Sequence, residues 1–169
     1  MEFLITKQAW EILNDRPQEV IPYFERQLED LLSNGMTAEE MGQCTPEQIT
    51  LTAYLMFRKE MLEGGLVQLI YNGYGPFIFL NPFAKALRQW GLKDFSGFIY
   101  DLRRVYEAQR GEIEGRDMSD DDFMALYEAH PEMDGYDDDF VEQEPEISLE
   151  IANFVLQNRD KFKIIISLV

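Results

Sequence analysis

Half of the acidic residues of this chain fall in one stretch. Residues 112–150 carry 16 Asp and Glu against a single base, Arg116. The flanks are close to balanced, with 15 acids and 11 bases in residues 1–111 and one acid and three bases in residues 151–169. A block of like charge must be solvated, either as a disordered acidic linker or as the acidic face of an ordered structure. Two features favour order. The block is internal, and it is interleaved with Phe123, Met124, Leu126, Tyr127, Met133, Tyr136, Phe140 and Val141. Disordered acidic segments are poor in such apolar anchors.

The charge also limits partners. At a formal net charge of −17, direct binding to DNA, RNA or an anionic membrane face is disfavoured, because those partners are polyanions. Cationic partners are indicated. Adaptation to high salt would disperse the acids, whereas here they are concentrated. No apolar run reaches the ~18 residues of a transmembrane helix. Residues Met1 to Trp10 lack the pattern of a signal peptide, so a soluble, cytoplasmic protein is expected. With 169 residues, 46% of them apolar, the chain suffices for one domain with its own core, expected to span residues 1–169.

The periodicity is helical. Ala9, Trp10 and Leu13 share one face of a helix over Lys7 to Asn14. Pro17 opens a second, carrying Val20, Phe24, Leu28, Leu31 and Leu32 and stopped by Asn34-Gly35. Thr37 with Glu40 forms a capping box, and Thr45-Pro46 with Gln48 starts a helix carrying Ile49, Ala53, Leu55, Met56 and Leu62. Gly64-Gly65 ends or bends it, and Leu66 to Tyr71 is buried. Asn72 to Pro76 is a loop, followed by a helix from Asn81-Pro82 to Gly91 and another over Phe95 to Gln109. Gly111 to Gly115 is a break. Ser119 caps a helix with Asp120, Asp121 and Asp122 in its first turn, Pro131 ends it, and Pro145 opens the last helix, with Ile147, Ile151, Phe154 and Val155 inward. Ile164 to Ile166 is strand-like without an evident partner. The fold class expected is all-α, with at most a minor strand-like C-terminal segment.

Residues that carry chemistry are few. Cys44 is the sole cysteine and His130 the sole histidine, which excludes internal disulfides and Cys- or His-rich metal sites. His130 lies inside the acidic block, a setting unsuited to a neutral-pH base. Cys44 precedes a helix start but has no local histidine, so a passive thiol is the simpler reading. Gly64-Gly65 and Gly73-x-Gly75 lack the strand and the Gly-Lys-Ser/Thr ending of phosphate loops. The Asp120 to Asp122 and Asp137 to Asp139 runs offer hard oxygen ligands, but setting Gly135 at the EF-hand glycine puts Val141 where glutamate is required. No catalytic, cofactor or metal residue is assigned. Tyr71, Tyr74, Phe77 and Phe79 read as core in preference to a contact patch.

The segment Gly64-Gly65-Leu66-Val67-Gln68-Leu69-Ile70-Tyr71-Asn72-Gly73, continuing through Ala86-Leu87 and Gly91 into the Phe95–Tyr106 helix, resembles the core of the bacterial DNA-mimic protein (DMP) family. The similarity is densest over residues 45–110, and the acidic part that follows is like that of the DNA-mimic members. The resemblance implies a mostly helical homodimer without enzymatic activity. It also implies an acidic surface shaped like duplex DNA, and as partner a DNA-binding protein, plausibly a helix-turn-helix transcription factor kept off its operator.

Charge spacing is compatible with that implication. Duplex DNA carries one charge per ~1.7 Å of axis, and proteins that bind it present Lys and Arg to phosphates. Carboxylates at i and i+4 of a helix are ~6 Å apart along its axis, close to two phosphate steps of ~3.4 Å on one strand. Asp120, Asp121, Asp122, Glu128, Glu132 and Asp134 form one candidate run, and Asp137, Asp138, Asp139, Glu142, Glu144 and Glu146 a second. A two-fold dimer would double the array, as dimeric regulators meet palindromic operators. The alternative is a general acidic chaperone or scaffold for basic proteins, without DNA-like geometry.

Overall fold

A computed structural model describes residues 1–167. Residues 168 and 169 lie outside the described residues, so the apolar stretch that runs to Val169 is followed only to Ser167. The fold is mostly α-helical, with eleven α-helices and one two-stranded sheet among the described residues. The backbone divides into two units, residues 1–55 with those from 146 on, and residues 56–145.

The first unit opens with β1 (Phe3–Thr6), which pairs in parallel with β2 (Ile164–Ser167), Phe3 opposite Ile164. The isoleucine run therefore does have a partner, and it is the start of the chain. Sequence spacing cannot reveal a pairing across nearly the whole length. Phe3, Ile5 and Ile164 face inward while Leu4 and Ile165 are exposed, the alternation of a half-buried sheet. Next come α1 (Lys7–Asp15), α2 (Val20–Gln27), α3 (Glu29–Asn34) and α4 (Ala38–Gln43). The helix expected from Pro17 to Asn34 is thus two helices, entered through a 3-10 turn at Pro17–Glu19 and broken at Leu28. The capping box of Thr37 and Glu40 is formed.

In α5 (Pro46–Glu63) the Thr45 and Gln48 side chains cap reciprocally, Thr45 N to Gln48 Oε1 at 3.0 Å and Gln48 N to Thr45 Oγ1 at 3.1 Å. The fully buried Gln48 amide also donates to the carbonyls of Met1 (2.8 Å) and Phe162 (2.7 Å), tying both chain ends to the helix start. Every residue from Leu51 to Phe57 is buried, as in a helix enclosed all round. Leu62, expected inward, is instead exposed near the helix end.

The second unit contains α6 (Gly65–Tyr71), α7 (Gly75–Phe79), α8 (Phe83–Gln89), α9 (Lys93–Ile113) and α10 (Asp120–Ala129). The expected loop at Asn72–Pro76 is shorter, because Gly75-Pro76 already starts α7. α9 runs through Gly111, and the break falls at Gly115, whose φ is +67°. α11 (Asp134–Gln157) contributes to both units and passes through Pro145, which therefore does not open a helix. Proline removes one backbone bond inside a helix. Here the affected turn is exposed at both Val141 and Pro145, so water can take the freed carbonyl. Phe57 packs edge-on against Phe140 at 4.9 Å and against Phe95 at 5.8 Å, which places an α11 ring in the aromatic core of this unit. Phe79 is buried as expected, while Tyr71, Tyr74 and Phe77 are half-buried.

Candidate partner-binding surface

The acidic residues are placed by ordinary helix signals. Ser119 Oγ accepts from Asp122 N at 3.2 Å and caps α10, whose first turn is Asp120, Asp121 and Asp122. Carboxylates there meet the positive end of the helix dipole. His130 closes α10, a 3-10 turn covers Pro131–Met133, and Asp134 begins α11. The interleaved apolar residues divide by burial. Met133 and Phe140 are buried, Phe123, Leu126, Tyr127 and Tyr136 are half-buried, and Met124 and Val141 are exposed. α10 has no fully buried residue. It is held by Phe123 against Tyr71, ring centroids 4.6 Å apart, and by the Tyr127 hydroxyl donating to the Gly64 carbonyl at 2.8 Å.

Two of the twelve candidate carboxylates, Asp137 and Glu144, are half-buried inside the second unit. Asp137 Oδ1 accepts from Leu66 N at 2.9 Å, at the N-terminal end of α6. Burial pushes its carboxyl up to about 6; the bond to Leu66 opposes this, and neighbouring Asp134 and Asp138 add to it. Glu144 accepts from Arg58 Nε at 2.6 Å in a pair mostly shielded from solvent. The other ten are exposed: Asp120, Asp121, Asp122, Glu128, Glu132, Asp134, Asp138, Asp139, Glu142 and Glu146. Among the described residues none of the ten pairs with a Lys or Arg. Glu146 belongs to the first unit and the others to the second.

The geometry adds a pattern that grouping by sequence missed. Asp134, Asp138 and Glu142 lie four apart on an exposed face of one helix, each step ~6 Å along the axis. The same spacing continues in the sequence at Glu146 and Glu150, both exposed. Glu150 was not among the candidates. The signal was readable, but it requires one helix through Pro145, where the sequence suggests a start.

The Gly64-Gly65 segment is explained by what approaches it. A Cβ on Gly64 would stand 2.1 Å from Gln68 Oε1, and one on Gly65, whose φ is +72°, 2.1 Å from Asp137 Oδ2. Gln68 Nε2 and Asn72 Nδ2 both donate to Glu60 Oε2, at 3.1 and 2.8 Å, so the Gln and Asn of the motif satisfy a buried carboxylate. The glycines allow this close packing.

The Cys44 thiol is half-buried and pushed up from its ordinary value by burial, the reverse of an activated nucleophile. Among the described residues no group of three or more His, Cys, Asp and Glu is arranged to hold a metal ion. No described helix is long and apolar enough to cross a membrane.

Comparison with known proteins covers the same ground. A family model described as DMP19-like protein matches residues 42–158, which include both the glycine motif and the acidic block. The DNA mimic protein DMP19 of Neisseria meningitidis serogroup B (strain ATCC BAA-335 / MC58) is 32% identical over 129 residues, covering 76% of this chain and 78% of that protein.

Proposed function

The chain belongs to the DMP19-like protein family, and on that premise we propose that it is a non-enzymatic DNA mimic. Its exposed carboxylates stand in for backbone phosphates and occupy the DNA-contacting face of a DNA-binding protein. The partner we infer is a dimeric helix-turn-helix transcription factor, met by a homodimer of this chain in the cytoplasm. Occupying that face blocks operator binding and so regulates transcription.

One observation carries the reading. Ten exposed carboxylates, unpaired with Lys or Arg, are set on ordered helices and the turn between them, and three lie at regular four-residue steps on one helix. Lys and Arg that contact phosphates need acceptors held at fixed spacing, and a helix supplies that where a floppy tail does not. The relative's name, a DNA mimic, supports the same assignment.

The test is competition against DNA at several salt concentrations. Purified helix-turn-helix regulators from the same source are titrated with this protein, with and without excess operator duplex. Binding is expected to fall steeply with salt and to be displaced by the duplex, because both ligands need the same cations. The double variant Asp138→Lys with Glu142→Lys is expected to lose binding while keeping its helical circular dichroism. Binding unaffected by excess operator duplex would overturn mimicry. Equal affinity for unrelated basic proteins would instead indicate a general acidic chaperone.

A further inference from the structure

Among the described residues, His130 is the buried polar side chain whose bonding is incomplete. Its side chain is 5% exposed, and its Nε2 has no hydrogen-bond partner. Each such group in a folded protein calls for a physical reason. The reason is visible around it. Glu132 Oε1 lies 3.3 Å from Nδ1, and Glu112 Oε2 lies 3.5 Å from Nε2, on the other side of the ring. Both carboxylates reach in from solvent, with side chains 72% (Glu112) and 46% (Glu132) exposed.

The three residues come from three elements. Glu112 is in the last turn of α9, His130 is the C-cap of α10, and Glu132 is in the 3-10 turn that leads to α11. α10 has no base in its last turn, so an imidazolium at position 130 is the cation that complements its negative end. Of the other ionisable groups close in sequence, Asp117 and Asp134 are exposed and the Tyr127 hydroxyl donates to the Gly64 carbonyl. Arg110 is paired with Glu114 at 2.9 Å, Arg116 donates to the Gly111 carbonyl at 2.9 Å, and Glu128 points to solvent. α6, which packs on the 3-10 turn, has Tyr71 as its one ionisable side chain.

We infer that His130 is a positioning residue whose protonation holds Glu112 and Glu132 and ties the end of α10 to α9 and to the 3-10 turn that leads to α11. The protonated ring has an N–H on each nitrogen and serves both carboxylates. The neutral ring has one N–H, so a lone pair faces the other carboxylate inside a buried site. When the proton leaves to solvent, one glutamate is released, the local surface gains one negative charge, and α10 loosens. The inference concerns the free protein, so it stands or falls separately from the identity of any partner.

The test is an NMR titration of the isotopically labelled full-length protein over the pH range in which imidazoles titrate. The single histidine makes the ring signal unambiguous. The side-chain carboxyl carbons of Glu112 and Glu132 are expected to step at the ring's midpoint. Amide exchange in residues 120–129, corrected for intrinsic base catalysis, is expected to be about tenfold faster above that midpoint than below it. His130→Gln keeps an amide donor but cannot titrate, and is expected to show neither step. Carboxyl signals that stay flat while the ring titrates would overturn the inference, as would an unchanged step in the variant. Should the variant fail to fold, the profile of the unaltered protein decides alone.

Discussion

Asp137→Asn separates a carboxylate that serves the fold from those that face outward. Asp137 is half-buried, and its carboxyl is pushed from 3.8 up to about 6, chiefly by burial. A folded-state value above the unfolded one means that the folded protein binds more protons between roughly pH 4 and 6. The Asp137 contribution is therefore fully present below about pH 4 and is lost as pH rises through 6. About two pH units at ~1.4 kcal/mol each give ~3 kcal/mol for a fully shielded group. Asp137 retains some solvent access, and screening reduces this to about 1–2 kcal/mol. Asparagine keeps an oxygen to accept from Leu66 N but carries no charge. Urea unfolding of both proteins from pH 3.5 to 8 should show the variant gaining about 1–2 kcal/mol relative to the native chain across pH 4–7, then holding level. The other carboxylates are common to both proteins and cancel. A pH-independent difference would refute the reasoning, as would a native chain that gains on the variant as pH rises.

Other perturbations test the contacts that place the surface. Gly65→Ala forces a Cβ onto Asp137 Oδ2 at a φ of +72°, and is expected to cost about 2 kcal/mol or more by thermal or urea unfolding. Gln48→Ala leaves the Met1 and Phe162 carbonyls without the amide donor they share and removes half of a cap; a loss of about 2–3 kcal/mol is expected. Pro145→Ala restores a donor within α11 and is expected to stabilise the protein by about 1 kcal/mol or more, seen as a higher melting temperature.

Local signals were well read from the sequence, and distant ones were not. The caps at Thr37, Thr45 and Ser119 depend on residues three apart, and all three form as the spacing requires. The pairing of Phe3–Thr6 with Ile164–Ser167 joins opposite ends of the chain and leaves no local trace. Proline misled at position 145, because its usual place in the first turn outweighs its rarer presence on an exposed helix face. The sequence located the acidic surface, but it did not sort its members. Asp137 and Glu144 look like their neighbours until Leu66 N and Arg58, both distant in sequence, are seen to hold them.

That sorting bears on why the outward carboxylates are there at all. Asp137 and Glu144 have reasons internal to the fold, and the first-turn acids of α10 gain from the helix dipole. Asp134, Asp138 and Glu142 also lie four apart, where like charges repel and each pair costs the helix about 0.2–0.5 kcal/mol. Glu150 repeats the spacing after Glu146. Solubility needs no such arrangement, since dispersed charge serves it equally well. Residues 1–111, with 15 acids against 11 bases, show that the rest of the chain carries only a small surplus. A repulsive array held in register by one helix, against the preference of that helix, fits the proposed role of meeting cations outside the chain. The contact from Asp137 to the Gly64-Gly65 turn fixes the start of the same helix. The glycine motif and the acidic block are thus one construction, in which the motif seats the helix that carries the charge.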